Sequence, residues 1–281
     1  MKYQDRLNEH LANYKQTVLG ISAAGTWLNP KTKQKIPYDH ILPEGSRNKN
    51  IVAAFREQFW NDFEHWAELE PHHVVKLHKF FAHLNSSQAL CFNLFYPLIA
   101  DHDWCLTFIS KVLEMPGEVP KKQWFEWIED LEEETNYDFF IEMQSGKKVF
   151  FEVKLSEMGF GTAKTDERHL KKLAKIYEPK LSLLVDPKWL EPQMFCARYQ
   201  LLRNMCHLGD KDHTLFLVVP RANESLQPAL KELPEITAGA LKGRVRVLYL
   251  EDVLERVNEV LRPTTGLLNE QYIELQRKYI V

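Results

Sequence analysis

Nothing in the chain of 281 residues approaches the roughly 18 consecutive apolar residues that a membrane-spanning helix needs. The start, Met1-Lys2-Tyr3-Gln4-Asp5-Arg6, carries no apolar signal core. Cysteine is scarce. Cys91, Cys105, Cys196 and Cys206 form no CxxC pair and sit in apolar contexts, which argues against a structural zinc site and for small core residues. These absences fit a reducing cytoplasm. No GxxxxGK[ST] loop occurs, so no ATP site is expected, and no Ser/His/Asp arrangement stands out. Excess positive charge is missing too. A formal charge of −3 and a pI near 6.4 argue against a protein that packages nucleic acid through its overall field, and local patches must supply any such attraction. His72, His73 and His78 do not align on one helical face and are not read as metal ligands.

What remains is ordinary globular composition, 44% hydrophobic and 27% charged, enough for one large domain or two small ones. No repeat, low-complexity segment or linker forces a boundary. Residues 1–75 read as a helical extension packed on a core of 76–281. Helical spacing predicts helices over 5–21, 50–69, 74–83 and 104–113. Another should start at a cap on Asn85 or Ser86 and end at Tyr96, before Pro97. Residues 25–42 read as irregular. Strands are expected over 124–131, 214–219 and 245–250, and helices over 168–176, 189–207, 251–260 and 269–279.

The most informative segment lies between the first two of these strands. Tyr137-Asp138-Phe139-Phe140-Ile141-Glu142-Met143 and Val149-Phe150-Phe151-Glu152-Val153-Lys154 read as two apolar strands joined by Gln144-Ser145-Gly146. Side chains alternate along a strand, so Glu152 and Lys154 share a face. A loop closed by Met143 and Lys147 puts Asp138 opposite Glu152, whereas one extra loop residue would turn Asp138 to the other face. Facing carboxylates repel. Both strands are otherwise apolar, as in the middle of a sheet, where unpaired charge is costly. A bound divalent cation is the simplest reason for keeping the pair.

With this order of elements, Asp138, Glu152 and Lys154 resemble the PD-(D/E)XK nuclease superfamily, the restriction-endonuclease-like fold. The likeness extends to Ser86-Ser87-Gln88-Ala89-Leu90, to Asn136-Tyr137-Asp138, to Glu157 and Gly159-Phe160-Gly161 after the lysine, and to Arg198-Tyr199-Gln200-Leu201-Leu202-Arg203-Asn204. Together these are similar to one bacterial branch of that superfamily. The resemblance implies an α/β fold with an αβββαβ core and a mixed central sheet flanked by helices. It also implies Mg²⁺ (or Mn²⁺) held by Asp138 and Glu152, with Lys154 beside the attacking water. Two departures stand out. Where many members carry a glutamate on the helix before the sheet, this chain has Gln88, which favours one ion over two. Tyr137 stands in place of the proline in the family's name.

The residue chemistry supports the same reading. Mg²⁺ takes oxygen ligands, and the Val153 carbonyl between Glu152 and Lys154 is a candidate third one. Lys154, next to two acids, should stay charged and act as an electrostatic stabiliser rather than a base. Gln88 and Glu157 are secondary catalytic candidates. Gln200 and Arg203, about one helical turn apart, and the basic run with Lys164, Arg168, Lys171 and Lys172 are candidates for nucleic-acid contact. Lys242, Arg244 and Arg246 form a second patch. The expectation is therefore a metal-dependent nuclease with DNA as favoured substrate, monomeric or homodimeric. The alternatives are an RNA-directed nuclease and a non-catalytic nucleic-acid-binding or interaction protein that keeps the fold.

Overall fold

The computed structural model describes residues 1–209, 212–262 and 265–281. Its elements begin with α1 (Tyr3–Thr17), β1 (Gly25–Leu28), β2 (Lys35–Tyr38), α2 (Ala53–Leu69), α3 (Ser87–Ala100) and α4 (His102–Thr107). The strands β3 (Pro120–Ile128), β4 (Asn136–Met143) and β5 (Lys148–Val153) follow. Short helices α5 (Glu167–Lys172), α6 (Glu178–Leu181), α7 (Pro192–Ala197) and α8 (Tyr199–Arg203) lead to β6 (Thr214–Val219). The chain closes with α9 (Gln227–Ile236), β7 (Val245–Tyr249), α10 (Leu250–Leu261) and α11 (Leu267–Tyr279). Contacts group these into two compact units. One is Met1–Glu118 with Pro220–Ala222 and Tyr249–Val281; the other is Val119–Val219 with Asn223–Leu248.

The sheet has the order β3-β4-β5-β6-β7. β3, β4 and β5 run antiparallel and β6 runs parallel to β5, so the sheet is mixed. A parallel neighbour demands a long crossover, and the helices α5 to α8 fill it. Phe139, Phe140, Ile141, Val149, Phe150 and Phe151 are all buried, as is every residue of β6. The Phe139, Phe151 and Phe216 rings meet across β4, β5 and β6, the first pair tilted at 5.6 Å and the second stacked at 5.4 Å. The expected α/β order of helix, three strands, helix and strand around a mixed sheet is the order found.

The helix expected over 189–207 is broken, and the main chain shows why. At Arg198 the backbone leaves helical values. The Gln200 N–H donates to the Gly161 carbonyl at 3.0 Å, and the Cys196 carbonyl accepts from the Ala163 N–H at 2.9 Å. In an unbroken helix those two groups would bond each other. The chain around 161–163 inserts between them instead, and satisfies both.

In the other unit α11 packs against α1, α2, α3 and α10. The apolar stripe of α2 buries Phe55, Phe59 and Trp66. Ser86 caps α3 through its side chain, as expected, but α3 runs past Pro97 to Ala100. Pro97 has no N–H for the Asn93 carbonyl. Gln271 Nε2 donates to that carbonyl at 2.7 Å, so the helix continues. Residues 74–83 are not helical. Asn50 Nδ2 holds the Phe81 and His83 carbonyls at 2.6 and 2.8 Å, and His83 bridges to Ile41, so the backbone is committed to distant partners. Within 25–42, read as irregular, β1 and β2 form a short antiparallel hairpin. Among the described residues no helix is long and apolar enough to cross a membrane.

Candidate active site

The β4–β5 turn sets the site. Met143 N–H donates to the Lys147 carbonyl at 2.8 Å and Gly146 N–H to the Met143 carbonyl at 2.9 Å. Gly146 has φ 81°, a left-handed value that a glycine adopts without steric cost. The ladder pairs Phe139 with Phe151, Phe140 with Phe150, Ile141 with Val149 and Glu142 with Lys148. One further step puts Asp138 across from Glu152, the register read from the loop length.

Glu152, only 2% exposed, carries three donors. Its Oε1 takes Lys154 Nζ at 2.7 Å and Gln200 Nε2 at 2.7 Å; its Oε2 takes Asn204 Nδ2 at 2.7 Å. Asp138 Oδ2 accepts the Val153 N–H at 2.7 Å, and the Lys154 N–H is spent on the Val218 carbonyl of β6. Glu157 Oε2 accepts the Leu155 N–H at 2.6 Å, which folds the chain after Lys154 back on itself. Buried Asn223 fixes that bend by donating to the Leu155 and Glu157 carbonyls at 3.1 and 3.0 Å. Gly161 sits where the backbone closely approaches Gln200. Its N–H donates to Gln200 Oε1 at 3.0 Å, and an added Cβ would lie 3.1 Å from that oxygen.

Burial first, then Glu152 and Glu126, push the Asp138 carboxyl well above the usual carboxylate range, against the pull of Lys154 and the Val153 N–H. For Lys154, burial favours the neutral amine, but Glu152, Glu157 and Asp138 outweigh it and raise its pKa above the ordinary lysine value. Lys154 is thus a held cation.

Two neighbours were missed from sequence. Asn204 lies one helical turn beyond Gln200, and that spacing alone could have marked it. Glu126 stands on β3 opposite Asp138, since Phe125 pairs with Phe139 and Trp127 with Tyr137. It has φ 51° and accepts a bond from Asn136 Nδ2. Glu126, Asp138 and Glu152 therefore form one row across three strands.

The set suits a hard cation. Glu152 Oε2 keeps an unused lone pair, and Asp138 contributes a second carboxylate from the adjacent strand. Asn204, fully buried, has an Oδ1 with no hydrogen-bond partner although its Nδ2 lies on Glu152. A buried acceptor left without a protein donor fits a site that takes up further ligands.

The remaining candidates divide. Gln200 and Glu157 belong to the cluster above. Arg203 lies over the Tyr199 ring at 5.5 Å, with its buried Nε unpaired. Lys164 and Arg168 are exposed. Lys171 is paired with Glu167 at 2.6 Å and Lys172 with Glu134 at 3.4 Å, so part of the basic run is offset by acids. Gln88 lies in the helical unit and straps its backbone. Its Oε1 accepts the His78 N–H at 2.7 Å and its Nε2 donates to the Lys76 carbonyl at 2.9 Å. Of the second basic group, Arg244 donates to the His213 carbonyl at 3.2 Å and Arg246 lies over the Phe216 ring at 5.1 Å.

A family model described as Restriction Endonuclease associating with ARP matches residues 8–280. No curated protein and no solved structure matches the chain.

Proposed function

The chain belongs to the family described as Restriction Endonuclease associating with ARP, and from that premise we propose that it is a metal-dependent nuclease of the PD-(D/E)XK superfamily, cutting phosphodiester bonds in DNA. The observation that carries the reading is the contact of Lys154 Nζ with Glu152 Oε1, 2.7 Å, beside a second acid whose pKa is raised. A generic surface hairpin has no cause to bury such a set.

In this reading Asp138, Glu152 and the Val153 carbonyl hold Mg²⁺ or Mn²⁺. When bound, the cation supplies a more acidic water and offsets phosphate charge. Lys154, held charged, stabilises the negative charge that develops on the phosphoryl oxygens. Gln200 and Asn204 fix the Glu152 carboxylate. Glu157 balances the lysine from the loop side. Arg203, Lys164, Arg168, Lys171 and Lys172 supply backbone contacts to the nucleic acid. A partner of the kind named in the family description, or a second copy of the chain, belongs to the same reading.

Incubation of plasmid DNA and of RNA with the full chain and Mg²⁺ or Mn²⁺ tests it. Cleavage of DNA is expected, lost in Glu152→Gln and Lys154→Gln with circular dichroism unchanged. Cleavage of RNA alone selects the RNA-directed alternative. Binding of nucleic acid without cleavage, or equal cleavage by either variant, overturns the assignment.

A further inference from the structure

Elsewhere in the sheet-bearing unit, three side chains of different chemistry meet that play no part in the proposed cleavage. A carboxylate oxygen of Glu133, the Cys206 Sγ and a ring nitrogen of His207 all lie within 4.8 Å of one another. Glu133 is 1% exposed and Cys206 4%, and the His207 side chain is 9% exposed. We propose that these three residues form a zinc site, separate from the Asp138/Glu152 centre.

The donor types decide the metal. Thiolate and imidazole are soft to borderline ligands that suit Zn²⁺ and disfavour Mg²⁺. Zinc bonds of about 2.0–2.3 Å nearly span the observed separations, so small side-chain rotations close the set. The charges also balance: a thiolate and a carboxylate neutralise the ion, which a buried site requires. Binding releases the Cys206 thiol proton to solvent, and the Nε2 proton that His207 directs at Glu133 shifts to Nδ1 or leaves with it.

The surroundings are built for orientation and access. Glu133 Oε2 accepts the Thr135 N–H at 2.9 Å and its Oε1 accepts the Thr135 hydroxyl, which fixes the carboxylate plane. His207 Nε2 lies 3.1 Å from Glu133 Oε2, so the imidazole already faces the carboxylate. The His207 ring packs edge-on against Tyr137 at 6.2 Å. Cys206 and His207 also line a cavity of about 340 Å³ whose wall includes Lys180 and His213. That cavity gives an ion a path in and room for a fourth ligand. Spacing rules miss such a site, because Glu133 is far in sequence from the adjacent Cys206 and His207.

Titration of the chelator-treated full chain with Zn²⁺ by calorimetry, and with Co²⁺ by absorption, tests the proposal. One tight Zn²⁺ equivalent and a thiolate-to-cobalt charge-transfer band are expected. Cys206→Ala should remove the band and weaken Zn²⁺ binding at least tenfold. His207→Gln should weaken binding to a similar extent, and it decides the matter if the cysteine variant does not fold. Asp138→Asn should leave Zn²⁺ binding unchanged. No charge-transfer band in the wild type, or undiminished Zn²⁺ binding in the cysteine or histidine variant, overturns the assignment. Neither result bears on cleavage at Glu152.

Discussion

Glu152 and Asn204 meet at 2.7 Å, Oε2 to Nδ2, although β5 and the end of α8 are 52 residues apart in sequence. That contact ties the acid to a side chain that is itself anchored, because the Asn204 carbonyl accepts the Tyr137 hydroxyl at 3.1 Å. The carboxylate is therefore held from the strand behind it and from the helix above it, and each connection can be broken separately.

Removing the Asp138 charge should stabilise the apo protein in a pH-dependent way. Its folded pKa is raised, so the stability linked to this group is fully present below the usual carboxylate range and is lost as pH rises through the folded value. Asp138→Asn should therefore unfold at higher temperature than wild type at pH 8, with the gap closing near pH 4. The same variant should lose Mn²⁺ binding by calorimetry. In the wild type, Mn²⁺ affinity should tighten with pH, because the proton on Asp138 has to leave.

Glu152→Ala strands a buried lysine and two carboxamides, and should cost about 3–5 kcal/mol in urea unfolding. Glu152→Gln keeps an acceptor for Lys154 and should cost about 1–2 kcal/mol. Equal losses in the two variants would show that the charge, and not the shape, dominates.

Gly161→Ala pushes on Gln200 Oε1, 3.1 Å from the new methyl. Since Gln200 Nε2 holds Glu152 through the same amide, the disturbance is passed to the acid. Stability should fall by about 1 kcal/mol or less, while Mn²⁺ affinity drops several-fold. An unchanged affinity would mean that Gln200 does not position the carboxylate.

Acid should weaken the helical unit through His40. Burial first, then His83 and Lys15, press its imidazole from 6.5 down to about 4. Its stabilising effect is complete above pH 6.5 and is lost as pH falls towards 4, about 1–2 kcal/mol for a partly exposed ring. Burial lowers His83 in the same direction. Melting temperatures of His40→Gln should respond less to pH between 7 and 4.5 than those of wild type.

The hairpin register was legible because a glycine turn and two apolar strands leave few pairings, and one of them faces Asp138 with Glu152. The helices over 74–83 and 189–207 were misread for a shared reason. In each, main-chain groups are claimed by distant partners, Asn50 in one and the chain at 161–163 in the other, and local spacing carries no trace of that. The end of α3 was misread in the opposite sense, because Gln271 rescues a carbonyl that Pro97 abandons. Glu126 escaped notice because its role depends on the alignment of β3, which local pattern does not determine.

The stitching of the chain at 161–163 into the break at Arg198 has a consequence for sequence drift. Surface loops usually absorb extra residues at little thermodynamic cost. The run from Lys154 to Gly161 is fastened at both ends, so a single inserted residue would slide Ala163 off Cys196 and Gly161 off Gln200 together. Among kindred chains, the number of residues between this lysine and this glycine should stay constant while nearby loops vary in size.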